Sequence, residues 1–94
     1  MKTIELLENI QNKRLIIKAM DLNKGLFANI SNVTYCPEKS RIILHLSDDK
    51  TLISKDLLNW LKNYPNSELV LSNNQPITKV ILATGEICFL YGGN

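Results

Sequence analysis

One histidine, two cysteines, four glycines and three prolines are all that this 94-residue chain holds of the residues that most often announce chemistry or unusual backbone. Each scarcity removes a class of function. His45 is the one histidine and has no cysteine near it in sequence, so it begins neither a zinc site nor a nucleophile triad. Cys36 and Cys88 follow no metal-ligand spacing and have no basic neighbour to lower a thiol pKa. Each reads as a small hydrophobe in or beside a strand, with a disulfide between them as the alternative. The glycines are not set between a strand and a helix ahead of Lys-Ser/Thr, so no phosphate-cradling loop is present. Gly-x-Ser-x-Gly, His-Glu-x-x-His and Cys-x-x-Cys elements are also missing.

Long apolar runs are absent too. None approaches the roughly 20 residues that span a bilayer. Glu5 and Glu8 stand where an export signal would be basic and then apolar. The expectation is a cytoplasmic protein with no membrane association, no metal and no cofactor, and not an enzyme. Net charge is only +2, too small by itself to imply an anionic partner. It is uneven, however: residues 1–47 hold seven Lys/Arg against four acids, and residues 48–94 hold four against five.

What is present is ordinary globular material. Apolar residues make up 45% and charged residues 21%, which disfavours disorder. The length suits one domain, residues 1–94, able to bury a core without staples.

The most informative feature is an internal echo. Thr3-Ile4-Glu5-Leu6-Leu7 and Ser54-Lys55-Asp56-Leu57-Leu58 share a hydroxyl residue, a spacer, an acid and two leucines. Asn12 then matches Asn63, and Leu15-Ile16-Ile17 matches Leu69-Val70-Leu71. Ile30-x-x-Val33 answers Ile77-x-x-Val80, and Ile42-x-Leu44 answers Ile87-x-Phe89. Matched segments in fixed order, with length changes between them, are what a duplicated supersecondary unit leaves behind. The two pseudo-repeats cover about 3–47 and 54–91.

Each hydroxyl reads as a helix cap, with Glu5 or Asp56 favourably placed in the first turn. Leu6, Leu7 and Ile10 face one way on the first helix, which ends near Asn12; Leu57, Leu58 and Leu61 do so on the second, which Pro65 stops. Strands are expected over 14–20, 26–35, 41–47, 68–72, 77–82 and 86–91, with a short one at 51–53. The consecutive apolar residues 15–17 suggest a strand buried on both faces.

The strand at 26–35 has a phase conflict. Leu26, Ala28 and Ile30 share one parity, Val33 and Tyr35 the other. One core cannot take both sets unless a β-bulge intervenes near Ser31-Asn32. Ile77 and Val80 repeat the conflict across Thr78-Lys79. The fold class is therefore α+β, in the order α-β-β-β-α-β-β-β. Short turns within each βββ run predict antiparallel meanders, joined into one or two sheets covered by the helices, about a pseudo-two-fold axis.

Few residues stand out as candidate sites. His45 falls opposite Ile42, Leu44 and Leu46, on the outer face, and Asp48-Asp49 reads as a turn rather than a Mg²⁺ pair. Trp60 lies off the centre of its helix's apolar arc, and its counterpart is Asn9, so the core does not demand an aromatic there. Trp60, Tyr64 and Phe27 are the candidate partner or self-association patch. Lys13, Arg14, Lys18 and Lys24 are the candidate nucleic-acid contacts, although a charged edge strand needs no such explanation.

The stretch Leu57-Leu58-x-x-Leu61-x-x-Tyr64-Pro65-Asn66-x-Glu68-Leu69-Val70-Leu71, with Pro76-Ile77-x-x-Val80 and Gly85-x-Ile87, resembles a group of small uncharacterised phage and mobile-element proteins. That resemblance covers residues 54–91 and implies a compact accessory module without catalysis; it transfers no site residues. The first half departs from it, lacking Tyr-Pro and the proline before Ile30. The expected function is a non-enzymatic binding module with a protein partner or small ligand, or a second copy of itself as a homodimer, inhibiting or sequestering a host component. The alternative is a nucleic-acid-binding accessory protein that uses residues 13–24.

Overall fold

The structure, a computed structural model, describes residues 3–11 and 13–93. Two helices, α1 (Thr3–Ile10) and α2 (Ser54–Asn63), accompany six strands: β1 (Ile16–Asp21), β2 (Leu26–Cys36), β3 (Arg41–Ser47), β4 (Glu68–Leu71), β5 (Ile77–Ala83) and β6 (Glu86–Tyr91). The strands form one curled sheet in the order β4-β3-β2-β1-β6-β5. Its two edges meet at a single bridge, Val70 to Pro76, beside a 3.0 Å bond from Leu71 N–H to the Gln75 carbonyl. The helices pack on each other and on the sheet's buried face. Leu6, Ile10, Leu57 and Leu61 share one core with Ile17, Ile30, Ile42, Leu44, Leu69, Ile87 and Phe89. Asn12, the sequence-predicted end of the first helix, lies outside the described residues.

The sheet is mixed, which corrects the expectation of antiparallel pairing throughout. β1–β2, β2–β3 and β5–β6 are antiparallel, whereas β1–β6 and β3–β4 are parallel. The first run is a meander, but β4 leaves β5 after one bridge and joins β3 instead. The chain between β3 and β4 contains α2, long enough for the crossover that parallel pairing needs. Short turns constrain pairing only within a run, and both parallel junctions lie between the runs.

The phase conflict is resolved at a bulge in each half. Ile30 pairs with Leu46, then Asn32 with His45 and Val33 with Leu44, leaving Ser31 as the extra residue. Ile77 pairs with Tyr91, then Lys79 with Leu90 and Val80 with Phe89, leaving Thr78 over. The extra residue is a hydroxyl both times and does the same job. Ser31 Oγ donates to the His45 carbonyl at 3.3 Å, and Thr78 Oγ1 donates to the Leu90 carbonyl at 2.7 Å. An added residue leaves the ladder short of partners, and a hydroxyl on it supplies one.

The parallel junctions match as well, and they revise one alignment. Ile42 faces Leu69 and Leu44 faces Leu71, while Ile87 faces Ile17 and Phe89 faces Ala19. Ile17 is thus the ladder counterpart of Leu69, two positions from the match the sequence suggested. Burial on both faces holds for β4, where Leu69, Val70 and Leu71 are all buried. It fails for β1, where Ile16 is 43% exposed.

The two hydroxyls that looked like caps act elsewhere. Thr3 and Ser54 are the first residues inside their helices, both fully buried, and the N-cap of α2 is Ile53, with no side-chain cap bond. Ser54 Oγ donates to the Lys13 carbonyl and accepts from Leu15 N–H at 2.7 Å. Thr3 Oγ1 donates to the Pro65 carbonyl, with Tyr64 O at 3.5 Å. Each half's hydroxyl therefore holds the other half's helix-to-strand linker. Burial explains the exchange: both linkers carry polar backbone that no sheet neighbour satisfies, and a buried polar group needs a partner.

Candidate functional site

The helix α2 has two unlike flanks. Ser54, Leu57, Leu58 and Leu61 face the core, Lys55, Asn59 and Lys62 lie to one side, and Trp60 with Tyr64 to the other. That division follows from the 3.6-residue period, which places 55, 59 and 62 together.

On the basic side the linker into β1 comes close. Lys13, Arg14, Lys55, Leu58, Asn59 and Lys62 line an open groove of about 320 Å³. Four cations and a side-chain amide converge from two segments far apart in sequence, and no carboxylate is in the lining. Among the described residues the ion pairs are Lys18–Glu86 at 3.7 Å and Arg41–Glu68 at 3.2 Å, and neither involves a groove cation. The linker backbone is held in place, because Ser54 binds Lys13 and Leu15 on either side of Arg14 and Ser54 N–H donates to the Leu15 carbonyl at 2.7 Å. Lys55 also stands in the first turn of α2, the end where the helix macrodipole disfavours a cation.

The four basic residues singled out in sequence therefore separate. Lys13 and Arg14 reach the groove. Lys18 is paired with Glu86 across the β1–β6 junction. Lys24 sits in the β1–β2 turn, beyond the far end of β1 from Lys13. Sequence reasoning missed Lys55, Asn59 and Lys62; their spacing on one helix flank was visible, but their meeting with Lys13-Arg14 was not.

The aromatic candidates separate in the same way. Tyr64 stacks on Tyr35 with ring centroids 3.7 Å apart and planes 12° apart, and Trp60 tilts against Tyr64 at 5.9 Å. All three are half-buried against the core, sealing the seam between α2 and the end of β2. Phe27 is at the opposite end of β2 from Tyr35, 58% exposed beside Leu26 at 65%, with Leu22 at 42% across the turn. These three crown the β1–β2 hairpin, which is longer than its counterpart between β4 and β5 and has β6 paired along β1 as far as Asp21. The Lys18–Asn29 pair is followed by residues 19–28, the matching Val70–Pro76 bridge by only 71–75. Gly25 closes that hairpin at φ 67, its N–H on the Asp21 carbonyl at 2.7 Å.

The other reactive groups lie apart from the groove. Nε2 of His45 is 2.7 Å from Thr34 Oγ1, on the outer face that parity assigned to it. Asp48 and Asp49 are exposed in a turn, and among the described residues no cluster of three metal-ligating side chains occurs. Both cysteines are free. Burial, and then the Glu86 carboxylate, push the Cys88 thiol up, against a smaller lowering by Lys18. With little thiolate and 8% exposure, Cys88 is expected to react with a disulfide reagent at neutral pH at least tenfold more slowly than half-buried Cys36. Stopped-flow thiol titration of C36S and C88S variants checks this.

No helix among the described residues is long and apolar enough to cross a membrane. No protein-family model, curated protein or solved structure matches the chain.

Proposed function

We propose that this protein is a non-enzymatic binding module that takes up an anionic, phosphate-bearing ligand in the groove between the α1–β1 linker and α2. The convergence of Lys13, Arg14, Lys55 and Lys62, with no carboxylate of the described residues in ion-pair contact with them, carries this reading. Holding four like charges together opposes folding, and an anion in the groove relieves that repulsion. Arg14 supplies a fork for two phosphate oxygens, the lysines supply point charges, and Asn59 adds a neutral donor. The groove's 320 Å³ lies at the lower end of the roughly 300–1,000 Å³ usual for small-ligand sites. We read the scaffold as two copies of an αβββ unit about a pseudo-two-fold axis. The groove is where the copies differ: Lys13-Arg14 stands against Tyr64-Pro65, and Lys55 and Lys62 stand against Ile4 and Gln11.

Calorimetric titration with pyrophosphate and with a short single-stranded oligonucleotide tests the reading. Arg14→Gln combined with Lys62→Gln is expected to weaken binding by at least about tenfold, since charge-assisted bonds contribute roughly 1.5–3 kcal/mol each. Lys24→Gln should change it less than about twofold, because the energy of a distant exposed charge is screened. An oligonucleotide that binds far better than pyrophosphate, with a steep salt dependence, identifies a nucleic-acid backbone as the phosphate source. Binding of neither probe, or equal weakening by Lys24→Gln, overturns the proposal.

A second reading, a protein partner or a second copy of the chain, rests on the hairpin crown of Leu22, Leu26 and Phe27. Inhibition or sequestration of a host component would proceed through that surface. Sedimentation of wild type and Phe27→Ser across a concentration series distinguishes the homodimer, which the variant should abolish.

A further inference from the structure

The ladders of the two halves set up a residue-by-residue correspondence. Ile30 matches Ile77, Val33 matches Val80, Leu44 matches Phe89 and Leu46 matches Tyr91. Carried two positions along the strand, it pairs Tyr35 with Leu82; on the helices, the shared hydroxyl-x-acid-Leu-Leu pattern pairs Asn9 with Trp60. That correspondence assigns Asp56, Leu57, Val33 and Tyr35 to the seam between α2 and β2, where the Tyr64 ring stacks on Tyr35, Trp60 tilts against Tyr64, and all three aromatics pack half-buried against the core. The seam between α1 and β5 is bounded by the counterparts of those residues: Glu5, Leu6, Val80 and Leu82, with Asn9 at the indole's position. Here a cleft of about 280 Å³ stands open.

The two seams differ in what fills them. Asn9 is short and turned back on its own helix, its Nδ2 donating to the Glu5 carbonyl at 2.8 Å. Leu82 is left 39% exposed and Val80 half-buried, whereas in the other seam Val33 is buried and Tyr35 is half-buried under the Tyr64 ring. Apolar walls that the chain covers with aromatic rings in one seam are more exposed in the other.

We infer that the cleft between α1 and β5 is a receptor site for a tryptophan side chain of a partner polypeptide. Leu6, Val80 and Leu82 supply apolar walls for the ring. The exposed Glu5 carboxylate at the rim can accept the indole N–H, a donor that needs a partner once it leaves water. Tryptophan is also the side chain most enriched at interface anchors. The site is separate from the anion groove and requires no anion, so the two proposals stand or fall independently.

The test uses the whole chain and N-acetyl-tryptophanamide, followed by two-dimensional NMR. Saturable shifts are expected at the amides of Val80 and Leu82 and at the side-chain amide of Asn9, with N-acetyl-alaninamide producing none. Asn9→Trp should occupy the cleft from within and remove the shifts. Leu82→Lys changes an exposed wall residue, so it should remove them while preserving a dispersed spectrum even if Asn9→Trp does not fold. The absence of localised shifts in wild type, or their survival in Leu82→Lys, overturns the assignment.

Discussion

Deleting Ser31 together with Asn32 is expected to destabilise the protein by about 4–6 kcal/mol, much of the roughly 5–15 kcal/mol that holds a domain of this size together. The reason is parity. Ile30 and Val33 are both core residues, 0% and 5% exposed, and the two residues between them, one of them taken up by the bulge, let one strand deliver both. Without that pair Val33 follows Ile30 directly and the strand beyond turns over, so that Val33 and Tyr35 point outward while Thr34 points inward; losing Ser31 alone would only remove the bulge and keep the parity. Each buried apolar side chain lost costs about 1.5–3 kcal/mol, and each polar group forced inside about 1–3 kcal/mol. Ser31→Ala preserves the residue count and loses only the 3.3 Å bond to the His45 carbonyl, so about 1 kcal/mol or less is expected. Urea unfolding of the two variants separates the explanations: a similar loss in both would mean that the hydroxyl, and not the phase shift, matters at this position.

Ser54→Ala is expected to cost about 2–4 kcal/mol, because it orphans two backbone groups in a part-buried linker at once. Leu15 N–H loses its acceptor and the Lys13 carbonyl loses its donor, and the hydroxyl that linked α2 to the first half is gone. At about 4–8 °C of melting temperature per kcal/mol for a chain this short, the shift is easily read by circular dichroism. Had Ser54 been an ordinary N-cap, the cost would be nearer 1 kcal/mol, and asparagine or aspartate would replace it well. In the linker-holding role neither fits, since both add bulk at a fully buried position and aspartate adds a charge. The Ser54→Asp variant therefore distinguishes the two roles directly.

The elements themselves were legible in the chain, for physical reasons that act locally. Leu57, Leu58 and Leu61 recur at helical spacing, and the alternation Ile42, Leu44, Leu46 marks β3 at its observed limits, Arg41–Ser47. The bulges were legible because a phase break in an apolar pattern has few remedies. The helix-start hydroxyls were misread for the same local reason. A buried serine and a capping serine occupy neighbouring positions at a helix start, and only the approach of the other half's linker tells them apart. Antiparallel pairing throughout was overturned because sequence-short turns say nothing about which strands meet between runs. Trp60 and Tyr64 stood out in the sequence as aromatics without counterparts in the first half, and in the structure they pack half-buried against the core. Their partner Tyr35, and the distance of Phe27 from both, depended on which end of β2 lies under α2.

Apart from a strand expected at 51–53, where only an isolated bridge at Ile53 forms, the sequence by itself determined the eight elements, their order and the bulge in each half. Each of these follows from periodicity and parity along one stretch of chain. Only the tertiary structure decided what those elements present to a ligand. It brought Lys13-Arg14 to Lys55 and Lys62, left a cleft beside Asn9, whose counterpart is Trp60, and left Phe27 exposed with Leu22 and Leu26 at the tip of the β1–β2 hairpin. The physical reason is that a single charge or aromatic means little along a chain. Its energy depends on distance to other groups, and here those groups arrive from the opposite half through the parallel junctions β1–β6 and β3–β4.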